Sequence, residues 1–154
     1  MSTIQWALLF HVLGAFLLVA GTAVAGAAFE SARRRERTEE VALLLGLARS
    51  GAVLVALGTV LVLGCGLWLV HLEQLGLGTR WIAAALVLFV VMVVTGALGG
   101  QAPKRARKLA TSLGAGAVTP ELRGLLDDGA ARALNYASAA AALAIIVDMV
   151  WKPS

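Results

Sequence analysis

The feature that most constrains this chain is an apolar run at residues 4–29 that contains no Asp, Glu, Lys or Arg. About 20 such residues in an α-helix cross a hydrocarbon core about 30 Å thick. Three similar runs follow, at about residues 51–70, 81–99 and 133–151. The chain is 60% hydrophobic and only 14% charged, whereas soluble domains are roughly half apolar and a quarter charged. The sequence therefore predicts one all-α domain, residues 1–154, folded as an antiparallel four-helix transmembrane bundle.

The first run has one feature of a cleaved signal peptide, because Ala23 and Ala25 mimic a small-residue cleavage site. A signal peptide begins with positive charge, yet residues 1–6 contain no Lys or Arg, and a cluster of arginines follows the run instead. This arrangement is typical of a retained helix whose positive flank stays in the cytoplasm. We therefore expect the first helix to remain in the protein.

The Lys and Arg residues are distributed unevenly about the four runs, and this asymmetry predicts the orientation. Only Arg80 and Lys152 fall on one side, whereas the other 11 fall on the opposite side. We expect that second side to be cytoplasmic, with both termini outside, in a bacterial inner membrane. Anionic lipid headgroups then account for the net charge of +4 without nucleic acid as a partner. The predicted headgroup contacts are Arg33, Arg34, Arg35, Lys104, Arg105, Arg107 and Lys108.

Tryptophan provides an independent check, because its amphipathic ring prefers the headgroup level of a membrane. A four-crossing topology places every tryptophan at the outer interface, where we expect them to act as anchors: Trp6, Trp68, Trp81 and Trp151.

Both cytoplasmic loops contain helix-start signals. Thr38, followed by two acids, predicts that the second helix begins there and extends about 50 Å to Leu72. Thr119 and Pro120 form a second start signal, and the basic segment at residues 104–108 precedes two leucines. The loop between the third and fourth spans is thus predicted to be a cytoplasmic, interfacial helical element on the membrane. A regulatory partner site is the alternative for this loop.

Small residues at regular spacing predict the packing faces, because helices in lipid associate through close contact of small side chains. Gly14 and Gly21 are one heptad apart, as are Gly51 and Gly58. The single cysteine, Cys65, is expected to be a packing residue, since no second Cys and no His one turn away would complete a metal site. The small-residue faces could also bind a partner, and the sequence leaves open whether that partner is a second copy of the chain, as in a homo-oligomer, or another membrane protein. The fourth helix presents a small-residue face of Ala137, Ala141 and Ala144.

Ionisable residues inside a membrane are costly and are therefore candidates for function, and here they are His11 and Asp148. Counting inward from the nearest tryptophans places them at similar depths, on the first and last helices. We expect Asp148 to accept a hydrogen bond from His11. The pair would hold the two helices in register, or it would orient His11 to bind haem iron or a metal, or to carry a proton. His71 lies about 12 Å from the depth of His11 and is read as interfacial.

No catalytic or metal-binding motif occurs in the sequence, so we expect neither a catalytic residue nor a metal site. The leading hypothesis is a non-enzymatic accessory or scaffolding membrane protein. One alternative is a haem- or copper-binding redox protein that uses His11. A second alternative is a small transporter, whose polar pathway would have to be built from Thr22, Thr59, Thr95, Asn135, Tyr136 and Ser138.

Three short segments resemble a bacterial family of predicted integral membrane proteins, domain of unknown function 2269. They are Leu9-Phe-His11-Val-Leu-Gly14, Gly66-Leu-Trp-Leu69 and Asp148-Met-Val-Trp-Lys-Pro153. The resemblance covers nearly the whole chain. More distantly, the early His11 and the segment at residues 66–69 resemble the membrane protoporphyrinogen oxidases that bind haem and the copper-resistance D proteins. That resemblance implies a haem or copper role for His11.

Overall fold

A computed structural model describes residues 2–76 and 78–151, and this part of the chain is helical, without a β-strand. Lys152 and Pro153, which the sequence places on the outer side and in the family-like C-terminal segment, lie outside the described residues. The helices are α1 (Thr3–Arg33), α2 (Thr38–Leu72), α3 (Arg80–Gly99), α4 (Gln101–Leu113), α5 (Pro120–Leu126) and α6 (Gly129–Trp151).

Four helical stretches in the described ranges are long and apolar enough to cross a membrane. They are α1, α2, α3 continued by α4, and α5 continued by α6. The predicted all-α class with four apolar helices is therefore confirmed. The start signals are also confirmed, because α2 begins at Thr38 and the Thr119 side chain caps α5 by accepting from the N–H of Leu122.

The α1 and α2 helices pack as an antiparallel pair through the predicted glycines. A Cβ added to Gly58 would lie 2.6 Å from the carbonyl oxygen of Gly14, and one added to Gly21 would lie 2.6 Å from the carbonyl oxygen of Gly51. Real Cβ contacts are essentially never shorter than 3.0 Å. The two backbones thus approach to a separation that only glycine allows.

The α3 and α6 helices form a second antiparallel pair, joined by polar side chains of α6. The Ser138 hydroxyl donates to the carbonyl of Met92 at 2.8 Å, and the Asn135 amide donates to the carbonyl of Gly99 at 3.2 Å. Pro103 explains the second bond, because proline has no N–H to donate to the carbonyl four residues earlier, which is that of Gly99. Asn135 therefore supplies the hydrogen bond that the helix itself lacks.

The contact between the α1–α2 pair and the α3–α6 pair is smaller than the contact between the two helices within each pair. Leu18 of α1 meets Met92, Ala141 and Ala142 in a small apolar cluster, and α1 and α6 share only a small contact. The first and last helices are thus in contact, as predicted, but the contact is small. The predicted alanine face of α6 is rotated, because Ala141 is buried whereas Ala137 is exposed.

The end of α1, the start of α2, α4 and α5 form a separate packed unit at the basic end, which we call the cap (residues 28–48 and 101–127). Its core contains Phe29, Val41, Leu45, Leu122 and Leu126. The polypeptide at residues 116–118 pairs with residues 36–38, where the N–H of Thr38 donates to the Gly116 carbonyl at 2.9 Å. The cap joins the two pairs, since α4 packs on α2 and α5 contacts α1.

The loop that was predicted to contain an interfacial helix does contain a helix, α4, whose alanines pack inside the protein. Ala102, Ala106 and Ala110 are buried, and the last two lie in the core of the cap. Only Gly100 separates α4 from α3. The alanine side of α4 is therefore covered by protein as far as Ala110, whereas Leu113 at the end of the helix is 42% exposed.

Candidate functional site

His11 is held by the backbone of α2. Its Nδ1 lies 3.0 Å from the carbonyl oxygen of Val62, and a Cβ added to Gly66 would lie 3.1 Å from its Cε1. Because a carbonyl oxygen only accepts, Nδ1 carries the hydrogen of this bond. In a neutral imidazole, Nε2 is then the nitrogen with a free lone pair, and within the described residues it makes no hydrogen bond. The Val62 contact thus fixes both the orientation and the tautomer of the ring.

Asp148 has no such support. Its Oδ2 is buried and has no hydrogen-bond partner among residues 2–76 and 78–151. The predicted hydrogen bond from His11 to Asp148 is therefore wrong. The physical reason is that His11 uses a carbonyl of its own helix pair, while α6 packs mainly on α3. A buried carboxyl oxygen without a donor is costly in an apolar medium, so Asp148 stays a candidate for function.

A narrow apolar crevice of about 40 Å³ separates the two helix pairs. Its lining includes Leu18, Val62, Phe89, Met92 and Ile145. Small apolar cavities of this kind stay dry, and pockets for cofactor-sized molecules usually measure about 300–1,000 Å³. The crevice therefore does not fit a porphyrin between the pairs.

The residues predicted to line a transport pathway bond to backbone carbonyls or face outward. The hydroxyls of Thr22, Thr59 and Thr95 donate to carbonyls of their own helices. Asn135 and Ser138 bond to α3, as described above, and Tyr136 is 63% exposed on the outside of α6. These side chains do not form a shared polar pathway.

The four tryptophans lie at one end of the molecule, opposite the cap. They occupy the start of α1, the end of α2, the start of α3 and the end of α6, and Trp6 stacks on Phe10 with ring centroids 5.9 Å apart. His71 is exposed near the same end, and Cys65 is half-buried in α2. The level of the tryptophans relative to a membrane stays a prediction from the sequence.

Two arginines, Arg33 and Arg123, hold the parts of the cap together through ion pairs and hydrogen bonds that were not predicted from the sequence. Arg33 pairs with Glu30 at 2.8 Å and with Asp127 at 3.0 Å. The guanidinium of Arg123 donates to the carbonyls of Arg33 and Arg35. These bonds tie the turn between α1 and α2 to α5. The other residues predicted to contact headgroups are not all alike. Arg35 pairs with an acid, whereas the cations of α4 have no acid partner within the described chain.

The part of the chain that the structure describes contains no group of three or more His, Cys, Asp or Glu side chains placed to hold a metal ion. A family model described as a predicted integral membrane protein (DUF2269) matches residues 5–153. No curated protein and no solved structure matches the chain.

Proposed function

Since the chain belongs to the DUF2269 family of predicted integral membrane proteins, we propose that it is a non-enzymatic accessory or scaffolding subunit. The observation that supports this function is the use of the polar groups inside the apolar helices. The His11 ring, the Asn135 amide and the Ser138 hydroxyl each bond to a backbone carbonyl of a neighbouring helix. Such bonds fix the helices relative to one another, and they leave few groups for chemistry on a substrate.

The helix α2 is the surface that a partner in the membrane would use. In the apolar 18-residue segment of α2 only 6% is buried inside the protein, against 17–28% in the corresponding segments of the other three stretches. Val60 of α2 is 70% exposed and Phe16 of α1 is 71% exposed, and both lie about 12–15 Å inward from the nearest tryptophan of their helices. These two positions therefore form a matched pair at similar depth.

Photo-crosslinking in native membranes tests the scaffolding function. A photoreactive residue at Val60 should give one discrete adduct, either with a second copy or with a different membrane protein, and the same residue at Phe16 should give none. Equal labelling from both positions, or no adduct from Val60, would contradict the proposal.

The orientation that we propose has both termini outside and the cap in the cytoplasm of a bacterial cell, with the membrane being the inner one. It is supported by the uneven distribution of Lys and Arg. In a Cys65→Ala background, Arg105→Cys in the cap should react in intact cells only with a membrane-permeant maleimide. Thr79→Cys, at the opposite end, should react with an impermeant one. The reverse pattern would overturn the orientation.

A haem- or metal-binding role for His11 is the second candidate, and one observation favours it. An imidazole whose Nδ1–H is bonded to a carbonyl presents Nε2 in a fixed direction, as metal-ligating histidines do. The crevice does not fit a porphyrin, so His11 would hold a haem only from the lipid-facing side of α1 and α2. A Soret band in the purified protein that disappears in His11→Ala would support this role. A protein without a Soret band, when expressed with excess haem, would contradict haem binding.

A further inference from the structure

Apart from Arg123, which donates to backbone carbonyls, the cations of the cap fall into two groups. Those in the turn after α1 mostly have acid partners, since Arg35 pairs with Glu40 at 3.5 Å and Arg37 pairs with Glu39. Those of α4 have no acid partner within the described ranges. The unpaired cations of α4 are Lys104, Arg105, Arg107 and Lys108. Arg34 is also exposed and without an acid partner within the described ranges, but it lies in the turn and not on α4.

These four side chains share one face of α4. At 100° per residue, the midpoint between Lys104 and Lys108 lies opposite Ala106, which is completely buried. Arg105 and Arg107 lie to either side of that midpoint. Because the alanine side packs against the cap core, the cationic side is held outward in a fixed direction, which lowers the entropy lost on binding.

With Trp81 at the outer interface, as the sequence predicts, the face begins at the depth of lipid phosphates. Counting from Trp81 as the outer anchor, about 20 residues cross the hydrocarbon, which brings the helix to about residue 101. Lys104 and Arg105 then lie about 5–6 Å beyond the hydrocarbon, within the headgroup layer of about 5–7 Å. Lys108, one turn further, reaches back to that layer with its flexible side chain.

We propose that the cationic face of α4 is a docking site for anionic phospholipid headgroups of the bilayer that surrounds the protein. This assignment narrows the predicted headgroup contacts to α4. It leaves the acid-paired Arg33 and Arg35 as structural residues of the cap and excludes Arg34, a single cation in the turn. The fixed face, the missing acids and the phosphate depth together favour lipid over an acidic protein, which would not require the cations to begin at the membrane surface.

Titration of short-chain lipid into the detergent-solubilised full chain tests the proposal. Dioctanoyl phosphatidylglycerol should bind more tightly than dioctanoyl phosphatidylcholine. Loss of three cations should weaken phosphatidylglycerol binding roughly 100-fold, from about fivefold per cation. The test variant is Lys104→Gln, Arg105→Gln, Lys108→Gln, and the control with the same change of charge is Arg34→Gln, Arg35→Gln, Arg37→Gln. The control should keep wild-type affinity.

A charge-conserving variant separates loss of binding from loss of folding. The combination Lys104→Arg, Arg105→Lys, Lys108→Arg should bind phosphatidylglycerol as the wild type does. Equal weakening in the test and control variants would overturn the proposal, because net charge alone would then explain the binding. Equal affinity for glycerol phosphate would overturn it in favour of a free-phosphate site. A lack of preference for phosphatidylglycerol over phosphatidylcholine would overturn it, because the cations would then not bind an anionic headgroup.

Discussion

Replacing Gly58 with alanine places a methyl group between the backbones of α1 and α2. The new Cβ would lie 2.6 Å from the Gly14 carbonyl oxygen and 2.6 Å from the backbone nitrogen of Leu18. Ordinary van der Waals contact begins at 3.4 Å. Both obstacles are backbone atoms, which cannot rotate away, so the two helices must separate by several tenths of an ångström.

The magnitude follows from two opposing terms. Overpacking against rigid neighbours costs about 3 kcal/mol, at the upper end of the usual range. Alanine is more favourable than glycine in a helix by about 1 kcal/mol. The net loss for Gly58→Ala is therefore about 2 kcal/mol. For a chain of this length, that loss lowers the Tm by roughly 4–8 °C, measurable by circular dichroism in detergent.

Gly64→Ala is the matched control on the same helix, because a Cβ at Gly64 would meet nothing within 4 Å. This variant should keep or raise the Tm, since only the helix-propensity term applies. A Gly58→Ala protein as stable as the wild type would refute the close approach of α1 and α2. An equal decrease in Gly64→Ala would show that glycine acts there for another reason.

Asn135→Ala should lower stability by about 1–3 kcal/mol, because it leaves the Gly99 carbonyl without a donor. Adding Pro103→Ala restores an N–H to that carbonyl, so the double variant should lose less, which the Tm values of a double-mutant cycle would measure. Arg123→Gln should destabilise the cap by about 2 kcal/mol, since charged donors to two carbonyls are lost. Faster amide hydrogen exchange at residues 33–38 would report this change.

Neighbouring surface positions provide the controls for these variants. Tyr136→Ala, next to Asn135 but 63% exposed, should change the Tm little, and Arg105→Gln should leave exchange in the cap unchanged. If Pro103→Ala does not reduce the loss caused by Asn135→Ala, the proline does not explain that hydrogen bond. Unchanged exchange in Arg123→Gln would show that the cap is held by its apolar core alone.

Features that depend on local pattern were predicted well from the sequence. The four apolar helices follow from run length, and the start of α2 follows from the acids after Thr38. The heptad spacing of the glycines identified both faces of the α1–α2 contact, because small residues in a membrane helix have few other uses. The resemblance to the DUF2269 family, carried by three short segments, is confirmed by the family model.

Contacts to backbone carbonyls were the part that sequence reasoning missed. We predicted that His11 donates to Asp148 because a carboxylate is the acceptor that is visible in a sequence. Every residue of α2 also has a backbone carbonyl, and that of Val62 accepts the hydrogen bond instead. The guanidinium of Arg123 likewise bonds to two carbonyls. One such contact had a usable signal, because Pro103 leaves the Gly99 carbonyl without its helical donor and Asn135 is an amide on another apolar helix.

The cap and the two helix pairs are stabilised by different forces, and this difference determines what positions the pairs relative to each other. Among the described residues, the largest fully buried side chains are Leu45, Leu122, Leu126, Val41 and Thr38, all in the cap. In the orientation that we propose, the cap lies outside the hydrocarbon, where burial from water contributes about 25 cal/mol per Å². Lipid is as apolar as leucine and stabilises such burial little. Within each pair, glycine contacts and hydrogen bonds to carbonyls supply the cohesion instead. Between the pairs the membrane contact is small, so it is the cap, through α4 on α2 and α5 on α1, that sets their relative position.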